Sequence, residues 1–274
     1  MRDRIKAALH KTGGLGFVFR LYESAKAFDV HTLRENARYR SPKAPAGIPI
    51  PPPSLIVKVA GTASIDAFLE GGRRAESSLR QVLAKNGIEI EQFEAMLDFG
   101  CGCGRVIRYW QTLAAVQIYG TDYNPRLIEW CRRNLPFARF EVNALQPPLP
   151  DAADKFDFIY ALSVFTHLTE DLQHRWLAEL RRVLKPNGYL LITTHGDYYL
   201  DQLTPDERRR YQAGELVIKY EETAGTNLCA AFCTEAWVRS QLTQGFEAID
   251  YLPQGALGNP CQDLYLLRKI SAAK

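Results

Sequence analysis

The sequence predicts an α/β fold: a doubly wound, mostly parallel sheet covered by helices on both faces, preceded by an N-terminal helical extension. Three observations predict it. From residue 95 onward, short apolar runs of strand length alternate with amphipathic helical segments. Those strand runs are almost continuously apolar, as strands buried on two faces must be. The first of them runs straight into closely spaced glycines and then a helical pattern, the layout of a ligand-binding turn at the carboxyl end of a parallel strand.

Taken in order, the first 40 residues read as helical. Ile5, Ala8, Leu9 and Thr12 share one face, and after Gly13-Gly14 the residues Phe17, Leu21, Ala25 and Phe28 continue it. Arg2, Arg4, Lys6 and Lys11 lie opposite. The chain's formal charge is only +3, yet residues 1–50 hold ten Lys and Arg against four Asp and Glu. The basic residues of 1–40 suit a membrane surface or an acidic partner, while the apolar face suits packing on its own domain or on a second copy in a homodimer. Ser41–Pro53 is too proline-rich for helix or interior strand and reads as an extended connector. Helices follow at 64–69 and 75–86, the second closed by Asn86-Gly87. Residues 1–94 are thus an arm, connector and cap, and 95–274 are the sheet domain.

In that domain the expected elements are a strand at 95–99, a helix at 105–114, a strand at 117–121 and a helix at 125–134. Strands at 140–143 and 156–161 come next. The helix at 170–184 is the plainest: Thr169 is its N-cap, Glu170 and Asp171 suit its dipole, and Leu172, Trp176, Leu180, Val183 and Leu184 form its apolar stripe. Lys185–Gly188 turns the chain into a strand at 189–194. Residues 197–230 are too long for a plain loop and read as an insertion, a lid or binding element. A helix at 235–243 leads to strands at 248–252 and 263–268, joined by a Gly/Pro turn and able to pair antiparallel at a sheet edge.

Several function classes are excluded. No signal-peptide core or transmembrane segment is seen, because the longest early uncharged stretch, Thr12–Phe19, is short and glycine-rich. The six cysteines are too sparse for a disulfide framework, so a reducing, cytoplasmic setting is expected. Cys101, Cys103, Cys229 and Cys233 lack zinc-site spacing and read as free thiols, with no metal expected. Arg208–Arg210 reads as a solvated helix face, and without a basic strip in the sheet domain nucleic acid is not an expected substrate.

The chemistry lies in Met96-Leu-Asp-Phe-Gly-Cys-Gly-Cys-Gly-Arg105. Glycine permits positive φ and close backbone approach to a ligand. A dinucleotide fingerprint would need a third glycine where Arg105 stands, which counts against an NAD-dependent oxidoreductase. Asp122, ending the second strand, can accept both hydroxyls of a ribose. This glycine run, Asp122, and Arg181-Arg-Val-Leu-Lys-Pro-Asn-Gly-Tyr-Leu190 resemble the class I S-adenosylmethionine-dependent methyltransferases over residues 95–268. The resemblance implies a seven-stranded sheet with the last strand antiparallel and S-adenosyl-L-methionine as cofactor. Asp98 and the backbone of Gly100, Cys101, Gly102 and Gly104 would face its methionine part, and Arg105 would pair with its carboxylate or form a helix-surface salt bridge. Asp122 would hold the ribose, Tyr123 stack on adenine, and Asn143 and Ala144 meet the adenine edge. Ala161 to Phe165, with Ser163 among them, would lie near the sulfonium. Candidate bases are His167 and His195, with Tyr198, Tyr199 and Tyr220 weaker choices. The acceptor is expected to be a small molecule, a glycan or lipid-linked metabolite. The rival readings are the oxidoreductase and a non-catalytic nucleotide-binding scaffold.

Overall fold

A computed structural model describes residues 30–40, 47–258 and 261–271. The amphipathic reading of residues 5–28 lies outside the described residues, as do residues 41–46 of the connector. The main sheet is built from β1 (Ala95–Phe99), β2 (Gln117–Asp122), β3 (Arg139–Val142), β4 (Phe156–Ala161), β5 (Leu184–Thr194), β8 (Phe246–Leu252) and β9 (Asp263–Lys269). Its order is β3-β2-β1-β4-β5-β9-β8. β9 runs antiparallel to both its neighbours, β5 and β8, and the other pairings are parallel. β6 (Val217–Lys219) and β7 (Ala230–Phe232), both from the insertion, form a separate antiparallel pair.

Both faces are covered, and alternate residues of each strand serve opposite cores. Leu97, Ile159 and Ile192 pack with Trp176, Leu180 and Val238, carried by α5 (Glu170–Val183) and α7 (Glu235–Gln241). Met96, Phe158 and Leu191 pack with Leu79, Val82, Trp110 and Ile128, carried by α3 (Ile65–Lys85), a 3-10 helix (Ile107–Thr112) and α4 (Pro125–Asn134). Burying each such side chain stabilises the fold by about 1.5–3 kcal/mol, which is why the strands read as continuous apolar runs.

The sequence reading needs three corrections. The expected helices 64–69 and 75–86 are one helix, α3, capped by the Ser64 side chain, which accepts from Ala67 N. It runs through Gly71-Gly72 because Gly72 lies on the Arg105 backbone: an added Cβ would stand 2.0 Å from the Arg105 carbonyl oxygen. Close packing offsets the helix cost of glycine there. The helix expected at 105–114 is only the 3-10 segment, because the chain leaves the glycine turn in tight turns up to Val106. Lys185–Gly188 is not a separate turn but an irregular stretch within β5, with Asn187 at φ 61. Within the 197–230 insertion, α6 (Pro205–Gln212) carries a reciprocal cap between Thr204 and Glu207. Ahead of the sheet, α1 (Val30–Asn36) and α2 (Pro53–Ala60) lead to α3. Among the described residues, no helix is long and apolar enough to cross a membrane.

Candidate active site

Because β1, β2 and β4 are parallel neighbours, the loops after them converge at one edge. The first is pinned at once: the amides of Gly100 and Cys101 both donate to the Thr121 carbonyl, at 2.8 and 2.9 Å. Gly100 and Gly102 turn at φ 81 and 58. A Cβ would stand 2.4 Å from Val164 at Gly100 and 2.6 Å from Val59 at Gly102, so no side chain fits at either. Gly104 serves packing instead, since its Cβ would strike Leu135 at 2.5 Å.

The converging loops border a cavity of about 600 Å³. Asp98, Gly100, Cys101, Gly102, Arg105, Asp122, Tyr123, Asn143, Ala144, Ser163 and His167 all line it. Gly104, Ala161 and His195 do not: Ala161 is buried inside the end of β4, and His195 stands behind the wall. Tyr198, Tyr199 and Tyr220 also lie off the cavity. Sequence reasoning missed Lys58 and Val59 of α2 as lining residues, and it gave no role to Asn227 in the insertion. Asn227 Nδ2 donates to the Lys58 carbonyl at 2.7 Å, and Gly225 N donates to the His167 carbonyl at 2.7 Å. The insertion and the N-terminal cap therefore meet over the cavity, a tertiary contact that local sequence does not signal.

Burial governs the charges. Asp122 accepts from Gly102 N at 3.0 Å and Asn124 N at 2.8 Å, yet burial outweighs these amides and pushes its carboxyl up to about 6. Asp98 is pushed up to about 7 by burial, against the pull of the Tyr160 hydroxyl and the Arg105 guanidinium. The Tyr160 hydroxyl in turn accepts from Trp110 Nε1 at 2.9 Å. Arg105 is on no helix surface: it lines the cavity, donates to the Gly258 carbonyl at 3.1 Å and is lowered by burial. His167 sits in a 3-10 turn (Phe165–His167) with Nδ1 2.6 Å from the Cys229 carbonyl. That contact requires Nδ1–H, so the neutral ring leaves Nε2 as an acceptor, and burial lowers its pKa. The cysteines are free thiols, all buried except the half-buried Cys261. Among the described residues, no group of three or more His, Cys, Asp or Glu is arranged to hold a metal ion.

Residues 97–192 match the family model of a methyltransferase domain, a span that holds nearly the whole predicted site. Residues 97–192 are thus a methyltransferase domain. This methyltransferase domain is 30% identical over 106 residues to a tRNA U34 carboxymethyltransferase of Cellvibrio japonicus, covering 36% of this chain and 32% of that one. It is 32% identical over 102 residues to the malonyl-[acyl-carrier protein] O-methyltransferase of Serratia marcescens, covering 37% and 38%. The chain spans less than half the length of the curated relatives it matches. Among solved structures, an S-adenosylmethionine-dependent methyltransferase from Methanosarcina mazei superposes with TM-score 0.52 at 22% identity, over 69% of this chain and 98% of that one. Another from Mesorhizobium loti gives 0.54 at 17%, over 70% and 98%. At such identities these two show the fold. The family's cofactor is S-adenosylmethionine, and the methyltransferase domain's cavity fits it. Asn143 Oδ1 is buried there with no hydrogen-bond partner, an acceptor suited to an amine donor. Asp122 offers a buried carboxylate suited to hydroxyl donors, beside a glycine turn that leaves no room for any side chain.

Proposed function

We propose that the chain is an S-adenosylmethionine-dependent methyltransferase acting on a small molecule, with a glycan or lipid-linked metabolite as acceptor class. The observation that carries this is the buried Asp122 carboxylate beside a glycine turn and the unpartnered Asn143 Oδ1, all on one cavity. In this reading Asp122 holds the ribose hydroxyls, Tyr123 covers the adenine, and Asn143 and Ala144 meet its edge. Asp98, the turn from Gly100 to Gly104 and Arg105 take the amino-acid end, Ser163 stands where that end meets the reacting centre, and Ala161, buried in the end of β4, backs the site without touching the cavity. The cofactor supplies an electrophilic methyl group. The chain's work is then to orient both partners and exclude water, and the roof made by α2 and the insertion suits that task. His167, which lines the cavity with a neutral ring whose Nε2 is the acceptor, takes the acceptor's proton where the acceptor needs a base. His195 supports the wall rather than the reaction. The basic arm of residues 1–40 is assigned to a membrane surface or a second copy of the chain, and the protein to the cytoplasm.

The oxidoreductase reading is disfavoured by Arg105, which stands where a dinucleotide fingerprint has its third glycine, the one that lets helix and strand pack closely. Calorimetry separates the two: S-adenosylmethionine should bind in the micromolar range, roughly −7 to −8 kcal/mol, and NADH should not. Incubating the protein and a cell extract with methyl-labelled S-adenosylmethionine then identifies the acceptor. Cofactor binding with no labelled product from any extract favours the scaffold reading.

A further inference from the structure

Gln262 opens the way into β9 and is only 2% exposed, one layer behind the cavity. Its side chain closes a ring with two other residues. Gln262 Nε2 donates to Ser163 Oγ at 2.6 Å, Gln262 Oε1 accepts from Thr193 Oγ1 at 2.8 Å, and Thr193 Oγ1 accepts from Ser163 N at 2.8 Å. Gln262 Nε2 also lies 3.4 Å from His195 Nε2.

The polarity of this ring is fixed from outside. His195 Nδ1 is 3.2 Å from the Ala231 carbonyl, which requires a proton on Nδ1. A neutral ring then has only an acceptor at Nε2, and burial holds it neutral by pushing its pKa down to about 3. The Gln262 atom facing it must therefore be the NH2 group, and the same group serves Ser163. Ser163 Oγ must accept there, so its own proton is turned away from Gln262, on a residue that lines the cavity. Ser163 also holds φ 60, a backbone state rare outside glycine, at the cavity wall. Gly100, on the same cavity, has no room for a side chain because Val164, the residue after Ser163, lies against it. Arg105, held by the Gly258 carbonyl of the same β8–β9 loop, adds positive charge to the same cavity.

We propose that Gln262 is a positioning residue that sets Ser163 as a hydrogen-bond donor into the cavity, where it reads the carboxylate of the cofactor's amino-acid end. The inference rests on the cofactor reading above. A serine hydroxyl alone can turn its proton toward Gln262 or away from it; a fixed NH2 behind it takes one lone pair and bars the proton from that direction, which biases the hydroxyl to donate on its other side. The β8–β9 hairpin thereby selects the ligand through residues that never touch it.

The test is calorimetry of the parent, Gln262→Glu and Ser163→Ala with two ligands, S-adenosylhomocysteine and 5′-methylthioadenosine, which lacks the amino-acid end. Gln262→Glu keeps size and shape but presents oxygen to both His195 and Ser163, drawing the serine proton out of the cavity. Each variant should weaken S-adenosylhomocysteine by about tenfold, the scale of one lost hydrogen bond to a charged group, and leave 5′-methylthioadenosine unchanged. The double variant should be no weaker than either single one. For Gln262→Glu the loss should shrink at low pH, where the introduced carboxyl is protonated and donates again. Equal loss for both ligands would make Gln262 a merely structural residue and overturn the proposal, as would unchanged binding of S-adenosylhomocysteine. If Gln262→Glu does not fold, Ser163→Ala alone decides by the same contrast. A parent that binds neither ligand overturns the cofactor reading and this inference with it.

Discussion

Replacing Asp122 with alanine tests the site at its centre. The carboxylate is 8% exposed and holds the amides of Gly102 and Asn124, at 3.0 and 2.8 Å. Each amide left without its acceptor costs about 1–3 kcal/mol. Against that stands the ionisation of the carboxylate itself. Its pKa is raised from 3.8 to about 6, so the stability it contributes is complete below the unfolded value and lost as pH rises through about 6. At pH 7 the buried charge therefore destabilises the fold by about 3 kcal/mol. Two amides together cost about 2–6 kcal/mol, so the effects offset in large part and Asp122→Ala should lose no more than about 3 kcal/mol of stability at pH 7. Binding has no such offset. Two charge-assisted hydrogen bonds to ribose hydroxyls, at about 1.5–3 kcal/mol each, amount to a loss of more than about a hundredfold in affinity for S-adenosylhomocysteine. Because those hydroxyls need the ionised acid, parent affinity should fall about tenfold per pH unit below about 6, and Asp122→Asn should lack that component. Titration calorimetry between pH 5 and pH 8 reads both. An alanine variant that binds within about threefold of the parent, or a parent and asparagine variant with identical pH profiles, would refute the ribose assignment.

Three further outcomes are expected. Gly102→Ala places a Cβ 2.6 Å from Val59 and at φ 58, so it should lower stability by about 1–3 kcal/mol in thermal unfolding; adding Val59→Ala should restore part of that, since the φ strain stays. His167→Ala should slow labelled-methyl transfer by about a hundredfold or more and leave cofactor affinity nearly unchanged. In the parent, turnover should be level at neutral pH and fall only on the acid side of the ordinary histidine range, because burial lowers the His167 pKa and the neutral ring is the active one. Asn227→Ala removes the 2.7 Å bond between the insertion and α2; stopped-flow release of S-adenosylhomocysteine should be several-fold faster, as expected for losing one neutral hydrogen bond of about 1 kcal/mol.

What was legible in the sequence follows the range of the interactions. Strands buried on both faces announce themselves as apolar runs, and the glycine turn and Asp122 announce themselves through spacing, so β1, β2 and β4 were readable from local pattern, while the other cofactor candidates came from the family resemblance and not from spacing. Helix α3 was not, because its glycine pair looks like a break until the Arg105 backbone is laid against Gly72. The helix after the glycine turn was over-read for the opposite reason: its apolar residues Val106, Ile107 and Trp110 are core residues, but the tight exit of the turn leaves room only for a 3-10 segment. Lys58, Asn227 and Gln262 carry no local signal at all, since each matters through a partner far along the chain.

The charges of the cavity make one physical argument. Asp98, Asp122 and His167 are shifted in the direction that disfavours charge, and in each the largest cause is burial. A core built for stability alone would not hold two acids at pKa values of about 7 and about 6, since each costs folding free energy once ionised. Such groups are retained where a ligand restores what burial removes. A ligand that brings hydroxyl donors to Asp122 and positive charge toward Asp98 does this, and it should bind with release of protons near neutral pH. The same burial keeps His167 uncharged, and so available as a base beside a cationic methyl donor. One cause, burial beneath α2 and the insertion, thus bears on both the affinity of the site and the protonation state its chemistry requires.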